Sequence, residues 1–292
     1  MGALEVRTNL LGFEVIDGDR PVALYRAREE LPRDESPKPC FAPVYTPDGI
    51  LVTEYRPADH RWHTGLYFGW VHANHANLWG GGWYIPEKGR YEDVPDTHGA
   101  QRHESFEETK AAGGAPVVRE RLTWVDFADA PLALEERAYT LGRCPGGYLW
   151  RLQTRIRPAA ERLVLGASRA ARYSGLELRL GPPFAPPGTG ARHVSSAGLE
   201  GHEAIMGQRA RWVSAAGATG GMVVMMDHPT NPRHPVTWFT RANLLGAGLL
   251  MPGDLTVERG APLDLTYGFA VLSSPVAPGQ VEALYHAFAS AG

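Results

Sequence analysis

Histidines, a carboxylate and flat aromatic rings are concentrated in one short stretch of the chain. Four of the eleven histidines lie between positions 60 and 75, and three of the eight tryptophans lie between positions 62 and 79. The stretch opens with the octapeptide DHRWHTGL at 59–66, which carries Asp59, His60 and His63. This mixture of side chains indicates a polar site whose walls match the size of a sugar ring.

The two histidines of this octapeptide are candidates for general acid–base catalysis. Pro57 and Gly65 make the segment a loop or the entrance to a strand. A spacing of three indicates a metal pair only on a helix, and in an extended segment we expect His60 and His63 to point apart. Because the ordinary imidazole pKa lies near neutral pH, a role in proton transfer is favoured over a metal centre for these two histidines. The alternative is that the histidines bond backbone groups and Asp59 caps a turn.

A second polar loop, DHPTNPRHP at 227–235, is also a candidate part of the site. Its three prolines fix its shape, which is unusual for a mere connection. We expect this loop to form the wall of the site opposite the octapeptide. Its chemically capable side chains, with two that follow it, are Asp227, His228, Asn231, Arg233, Trp238 and Arg241.

Two further pairs of charged or titratable residues are candidate parts of the site. Glu177 and Arg179 lie two apart in GLELRL (175–180), so they share one face of a strand whose leucines face the core. They are a candidate base and substrate clamp, or else a surface ion pair.

Arg102 and His103 lie in a long polar stretch, 73–116, that we predict to be a loop and that is too long for a plain connection. They are candidates for holding an anion or sugar hydroxyls, or else part of a solvated loop.

Short apolar runs separated by turn residues predict an all-β protein. The 34 glycines and 24 prolines are spread throughout the chain, and runs such as 117–124 and 148–156 alternate between polar and apolar residues. We predict one domain over 1–292, a large antiparallel two-sheet β-sandwich with loops over a concave polar face. Only 276–289 is predicted to be helical, with one apolar face formed by Val281, Leu284, Tyr285 and Phe288.

The charge balance and the absence of known motifs exclude several classes of binding partner. A net charge of −3 and a pI near 6.4 argue against nucleic acids and membrane surfaces. There is no apolar run of roughly 20 residues and no signal-peptide pattern, so we expect a cytoplasmic protein. Cys40 and Cys144 lack zinc-like spacing and are expected to be inert packing residues. Because nucleotide-binding motifs are absent, we expect a small-molecule partner and no cofactor, with a divalent metal left open.

Three long motifs resemble the bacterial family usually labelled PmoA-like. They are DHRWHTGLYFGW with NLWG, GLEGHEAIMGQRARWVSAAG, and DHPTNPRHPVTWFTRANLLGAG, and the resemblance runs over about residues 40–272. The resemblance implies a β-supersandwich of the galactose-mutarotase type and a place beside sugar-utilisation genes, but no established activity. The positions that it matches are Asp59, His60, His63, Trp79, Gly198, Glu200, Gly201, Arg209, Trp212, Asp227, His228, Pro229, Asn231, Pro232, Arg233, His234, Trp238 and Arg241.

The chain departs from that family at two places. Arg61 and Trp62 stand where the family usually has Pro and His. The strand that contains Arg179 keeps this arginine but lacks the acidic residue at the family's usual position. These differences indicate a substrate that has diverged from that of the family.

Taken together, the residues and the resemblance predict a carbohydrate-active enzyme that works by histidine and carboxylate acid–base chemistry on a sugar or sugar-derived ring. Epimerisation, a lyase step and hydrolysis all remain open. The alternatives are a non-catalytic carbohydrate-binding or sensing module and a metal-dependent enzyme of the same fold. The candidate catalytic residues are His60, His63, His228 and Glu177. The candidate substrate-binding residues are Asp59, Arg61, Trp62, Trp79, Arg102, His103, Arg179, Asp227, Asn231, Arg233, Trp238 and Arg241.

Overall fold

A computed structural model describes residues 4–85, 87–111, 113–166 and 173–290. Strands make up 52% of the chain and helices only 7%, which confirms the predicted all-β class. No helix in the described ranges is both long and apolar enough to cross a bilayer.

Twenty-one strands form within the described ranges, and most are short. The first ten are β1 (Glu5–Thr8), β2 (Gly12–Asp17), β3 (Arg20–Arg26), β4 (Cys40–Val44), β5 (Leu66–Ala73), β6 (Ala76–Leu78), β7 (Trp83–Ile85), β8 (Arg90–Glu92), β9 (Ala100–Lys110) and β10 (Pro116–Val125). The rest are β11 (Pro131–Cys144), β12 (Gly147–Pro158), β13 (Arg162–Gly166), β14 (Gly175–Arg179), β15 (Arg192–Ser195), β16 (Trp212–Ala216), β17 (Met222–Asp227), β18 (Trp238–Arg241), β19 (Leu244–Gly248), β20 (Leu255–Glu258) and β21 (Leu263–Leu272).

The strands pair antiparallel in two large sheets. The first sheet has the order β1-β2-β3-β4-β5-β14-β19-β18, with β6 and β13 also paired to β5 and β20 paired to β13. The second has the order β15-β16-β17-β21-β12-β11-β10-β9. The hairpin β7-β8 pairs with neither sheet. The predicted two-sheet antiparallel sandwich is therefore confirmed.

The core lies between the inner faces of the two sheets. Leu176 and Leu178 of β14 join one buried cluster with residues of the second sheet such as Trp150 and Phe269. The opposite face of the first sheet carries a separate small cluster that contains Tyr67 and Trp79. Because side chains alternate along a strand, the strands that build the core also present a second set of side chains to the outer face.

The helical prediction for the end of the chain is confirmed. Helix α2 spans Pro278–Ser290, and it buries Val281, Tyr285 and Phe288 as expected from their spacing. These side chains pack with residues of β16 and β17 such as Trp212 and Met226. A single-turn helix, α1 (His202–Ile205), and a 3₁₀ turn at Arg33–Glu35 are the other helical segments of the described ranges.

The prediction of a long loop over 73–116 is wrong. The segment contains β6, the hairpin β7-β8, and the eleven-residue strand β9, which pairs with β10 along its whole length. Six of the eleven side chains of β9 are exposed, and β9 is the edge strand of the second sheet. A polar edge strand lacks the apolar alternation that identifies a strand in a sequence.

Candidate functional site

A cavity of about 660 Å³ opens on the outer face of the first sheet. Its volume lies within the usual range for small-molecule sites, roughly 300–1,000 Å³. Its side chains come from the 59–63 turn, β14, the segment that begins at Trp79, and β18. Seven of the predicted site residues line it, namely Asp59, His60, Trp62, His63, Trp79, Arg179 and Arg241.

Asp59 and His60 form a hydrogen-bonded pair at the cavity. His60 Nδ1 lies 2.8 Å from Asp59 Oδ2, and both side chains are substantially exposed. Burial acts to raise the pKa of Asp59, but the hydrogen bond to His60 and the charges of His60 and Arg179 leave that pKa below its ordinary value. The carboxylate is therefore ionised at neutral pH. It accepts a hydrogen bond from the Nδ1–H of His60. The other ring nitrogen, Nε2, is then the one that can exchange a proton with a ligand.

His63 is the buried histidine of the turn, with only 7% of its surface exposed. Its ring stacks on that of His60 at a centroid distance of 4.9 Å, so the prediction that these two side chains point apart is wrong. A hydrogen bond from His63 N–H to the His60 carbonyl, 2.9 Å long, closes a turn, and a turn brings residues three apart onto one side. Burial, then the charges of Arg179 and His60, hold the pKa of His63 well below its ordinary value.

Arg179 lies at the floor of the cavity, beside both Asp59 and His63 of this turn. Only 8% of the residue is exposed. Its guanidinium lies 3.1 Å from a carboxylate oxygen of Glu54 and 3.6 Å from Asp59 Oδ2. Its guanidinium also lies 3.5 Å from His63 Nδ1, to which it can only donate. A fixed cation beside a histidine–carboxylate pair stabilises negative charge that develops on a bound ligand.

Glu177 lies beneath the cavity and does not line it. It shares a face of β14 with Arg179, as predicted, but it is fully buried. Neither its carboxyl oxygens nor the hydroxyl of the neighbouring Tyr67 has a hydrogen-bond partner among the described residues. Burial raises the pKa of Glu177 well above its ordinary value, which favours the protonated carboxyl. The carboxyl sits over Gly246 of β19, where a Cβ atom would collide with both carboxyl oxygens.

Glycines let the two tryptophan rings pack closely against backbone. Trp79 covers Gly69 of β5, and a Cβ atom there would lie 2.6 Å from the ring. Trp62 covers Gly81 in the same way, and Gly81 has a positive φ of 67° that favours glycine. Trp79 is only 3% exposed, so it borders the cavity without offering a free face for stacking.

The wall opposite the 59–63 turn was only partly predicted. Arg241 lies there, as expected, with its guanidinium 4.9 Å from the ring centre of Phe239. The ring of Phe239 in turn packs against Tyr173 at 4.8 Å. His202, the first residue of α1, completes the wall. The spacing of two between positions 239 and 241 on β18 is the sequence signal that would have placed Phe239 beside the predicted arginine.

The expectation that the 227–235 loop forms this wall is wrong, because none of its residues lines the cavity. Asp227 is buried and holds the loop together. It accepts hydrogen bonds from Asn231 Nδ2 at 2.8 Å, from His234 Nδ1 at 2.7 Å and from the N–H of Val236 at 2.8 Å. A buried carboxylate with three donors is a structural centre.

The other predicted residues of this region are also engaged within the protein. His228 bonds Thr230 and packs edge-on against Phe288 of α2. Arg233 donates to backbone carbonyls, including that of Leu249 at 2.9 Å. Trp238 is fully buried in the core, which excludes the predicted stacking of a sugar ring on it.

Three predicted binding residues also lie outside the cavity. Arg61 turns away from it and lies 3.1 Å from Glu35. Arg102 pairs with Asp129, and His103 Nδ1 lies 2.8 Å from Glu120. Arg102 and His103 therefore do not join Asp59 and His60 in one site. Across the described ranges, no group of three or more histidine, cysteine, aspartate or glutamate side chains is arranged to hold a metal ion.

Comparison with known proteins assigns the chain to a family. Residues 13–286 match the model of DUF6807, a family of unknown function, and the chain belongs to that family. No curated protein matched significantly. A solved structure titled "Crystal Structure Analysis of HI1317" is similar at 8% identity and a TM-score of 0.31, covering 92% of this chain and 98% of that one. That score is too low for the likeness to bear on fold or function.

Proposed function

We propose that the cavity is the active site of an enzyme that transfers a proton to or from a sugar or sugar-derived ring. The observation that carries the proposal is the Asp59–His60 pair beside the buried cation Arg179. Asp59 orients the imidazole, His60 acts as general base or acid, and Arg179 stabilises the charge that develops.

A cavity lined by one carboxylate favours proton abstraction over glycoside hydrolysis. Most glycoside hydrolases place two carboxyl groups on either side of the bond that they cleave. Asp59 is the only acidic side chain among the described residues that line the cavity, and Glu177 is sealed beneath it. A single histidine–carboxylate pair with a cation suits epimerisation or elimination, in which a base removes a proton and negative charge forms on an adjacent oxygen.

The preference for a carbohydrate rests on the mixture of groups around the cavity. Arg241 and His202 supply polar atoms on one wall, while the partly exposed Tyr173 supplies a ring that suits the C–H face of a sugar. Arg241 forms no ion pair with any described residue, so it is available to a carboxylate or hydroxyl of the ligand. The resemblance to the PmoA-like family, with its expected galactose-mutarotase type of fold, supports the same substrate class.

Deuterium exchange tests the proposal directly. The protein is incubated in D₂O with a panel of pyranoses and sugar acids, and ¹H NMR follows the loss of individual carbon-bound protons. We expect exchange with at least one of them, slowed by roughly a hundredfold or more in Asp59→Asn and His60→Gln. His286→Gln removes an exposed histidine of α2 and serves as the matched control.

The other outcomes assign different functions. If sugars shift the histidine resonances but no variant changes any exchange rate, the cavity belongs to a non-catalytic carbohydrate-binding module. If exchange occurs only in protein that contains about one equivalent of a divalent metal by elemental analysis, the enzyme is metal-dependent. If no member of the panel binds, the sugar assignment is wrong.

A further inference from the structure

A second chamber of about 220 Å³ adjoins the proposed active site. The two spaces have Trp79, Gly80, Gly82, Tyr91 and Tyr173 in common among their lining residues, so they share a wall. Neither Asp59 nor His60 lines the chamber. A substituent of a ligand held at that pair would reach the chamber past the residues that the two spaces share.

Aromatic rings dominate the walls of this chamber. The hairpin β7-β8 contributes Trp83, Tyr84 and Tyr91, and it pairs with neither main sheet. The rings of Tyr84 and Tyr91 meet edge to face at a centroid distance of 5.3 Å. Trp83 lies 4.1 Å from the ring of His72 on β5. The hairpin therefore brings its rings together over the outer face of the first sheet.

Several polar atoms around the chamber are already bonded within the protein. Trp83 Nε1 donates to Thr97 Oγ1 at 2.7 Å. Asn77 donates to the carbonyl of Gly81 and accepts from the N–H groups of Trp79 and Gly80. These atoms are not free to bond the hydroxyls of a ligand. Apart from these atoms, the chamber is lined by the rings of two tryptophans and three tyrosines, with the tyrosine hydroxyls and His72 as its other polar groups.

We propose that the chamber binds an aromatic substituent of the substrate, so that the ligand is a sugar that carries an aryl group. This assignment rests on the proposed function for its sugar part. An aryl ring gains from edge-to-face and offset contacts with tyrosine and tryptophan. The tyrosine hydroxyls of the chamber can bond only some of the hydroxyls of a second sugar ring, so such a ring fits less well than an aryl group.

Binding measurements with three probes separate the two parts of the proposal. Isothermal titration compares phenol, methyl glycosides and the matching phenyl glycosides of the common hexoses and hexuronic acids. We expect phenyl glycosides to bind roughly tenfold more tightly than methyl glycosides of the same sugar. Tyr84→Ala should remove most of this preference, whereas Tyr84→Phe keeps the ring and should keep it. Phe127→Ala removes an exposed ring elsewhere and is the matched control.

Each result has a distinct meaning. Equal binding of methyl and phenyl glycosides by the wild type overturns the chamber assignment and leaves the sugar site in place. A phenyl preference that survives Tyr84→Ala, in a variant that unfolds like the wild type, overturns it too. Binding of phenol that depends on Tyr84, without binding of any glycoside, supports the chamber and overturns the sugar site. Failure of all three probes overturns both.

Discussion

Lys38 donates a 2.7 Å hydrogen bond to the carbonyl oxygen of Trp79, although 41 positions separate the two residues. The same ammonium group donates to the carbonyls of Ser36 and Glu35, and it lies 5.1 Å from the ring centre of Tyr67. Lys38 is 5% exposed. Burial lowers the pKa of Lys38 to about 7, so the amine carries only part of its charge at neutral pH. Through these hydrogen bonds the buried Lys38 fixes the start of the segment that supplies one wall of the cavity and leads into the hairpin.

Replacing Lys38 by methionine should destabilise the protein and loosen this wall. The change keeps the volume of the side chain but leaves three carbonyl oxygens without their donor, at a cost of about 2–4 kcal/mol in the free energy of unfolding. Urea denaturation measures the loss. Lys110→Met, at the exposed end of β9, is the control and should change stability little. Equal losses in both variants would show that the three bonds are unimportant.

Glutamine at position 177 should make the stability of the protein less dependent on pH above 4.5. The folded protein keeps the Glu177 carboxyl protonated above its ordinary pKa of 4.5, where the unfolded chain has released that proton. The free energy of unfolding of the wild type therefore falls as the pH rises above 4.5. Relative to Glu177→Gln it should fall by about 1.4 kcal/mol per pH unit until the raised pKa is reached.

Denaturation curves recorded at several pH values between 5 and 8 measure this difference. Glu136→Gln, which neutralises an exposed glutamate on β11, is the matched control and should track the wild type across this range. A stability difference between Glu177→Gln and the wild type that does not change with pH would mean that Glu177 is ionised in the folded protein.

Alanine at position 246 should clash with the buried carboxyl beneath the cavity. A Cβ atom on Gly246 meets the Glu177 carboxyl and cannot be accommodated without movement, so we expect a loss of about 1–3 kcal/mol. In a Glu177→Ala background the same change should cost at least about 1 kcal/mol less, because the obstacle is gone. Gly279→Ala on α2 has open space around it and is the control. Equal costs in the two backgrounds would refute the contact.

The 227–235 loop should respond to mutation in stability and not in ligand binding. Asp227→Asn cannot accept all three of its present hydrogen bonds, so we expect it to lower the free energy of unfolding by about 2–4 kcal/mol. His228→Ala should leave proton exchange at the cavity unchanged, because His228 lies outside it. A large loss of exchange activity in a stably folded His228→Ala protein would return this loop to the active site.

Local patterns predicted the elements of this fold well. Alternation in GLELRL placed Leu176 and Leu178 in the core and Glu177 on the opposite face with Arg179, as the structure confirms. The same reasoning failed for β9, whose polar residues at the edge of a sheet have no alternating apolar face to reveal them.

The composition of the site was harder to predict, because it depends on which loops meet in space. The 59–63 turn and the 227–235 loop have similar chemistry, but only the first reaches the cavity. Polar side chains serve equally well as ligand contacts and as internal hydrogen-bond partners, and Asp227 shows the second use. Residue type alone cannot separate these uses, since the difference lies in long-range pairing.

The two faces of β14 carry a consequence for how this protein diverges. Positions 176 and 178 hold the sandwich together, while positions 177 and 179 lie on the side of the cavity. Selection for thermal robustness and selection for a new substrate therefore act on alternate residues of the same strand. Directed evolution of ligand preference can accordingly randomise the exposed Arg241 and Tyr91 with little loss of stability. A change at the buried Glu177 would affect both stability and the floor beneath the cavity.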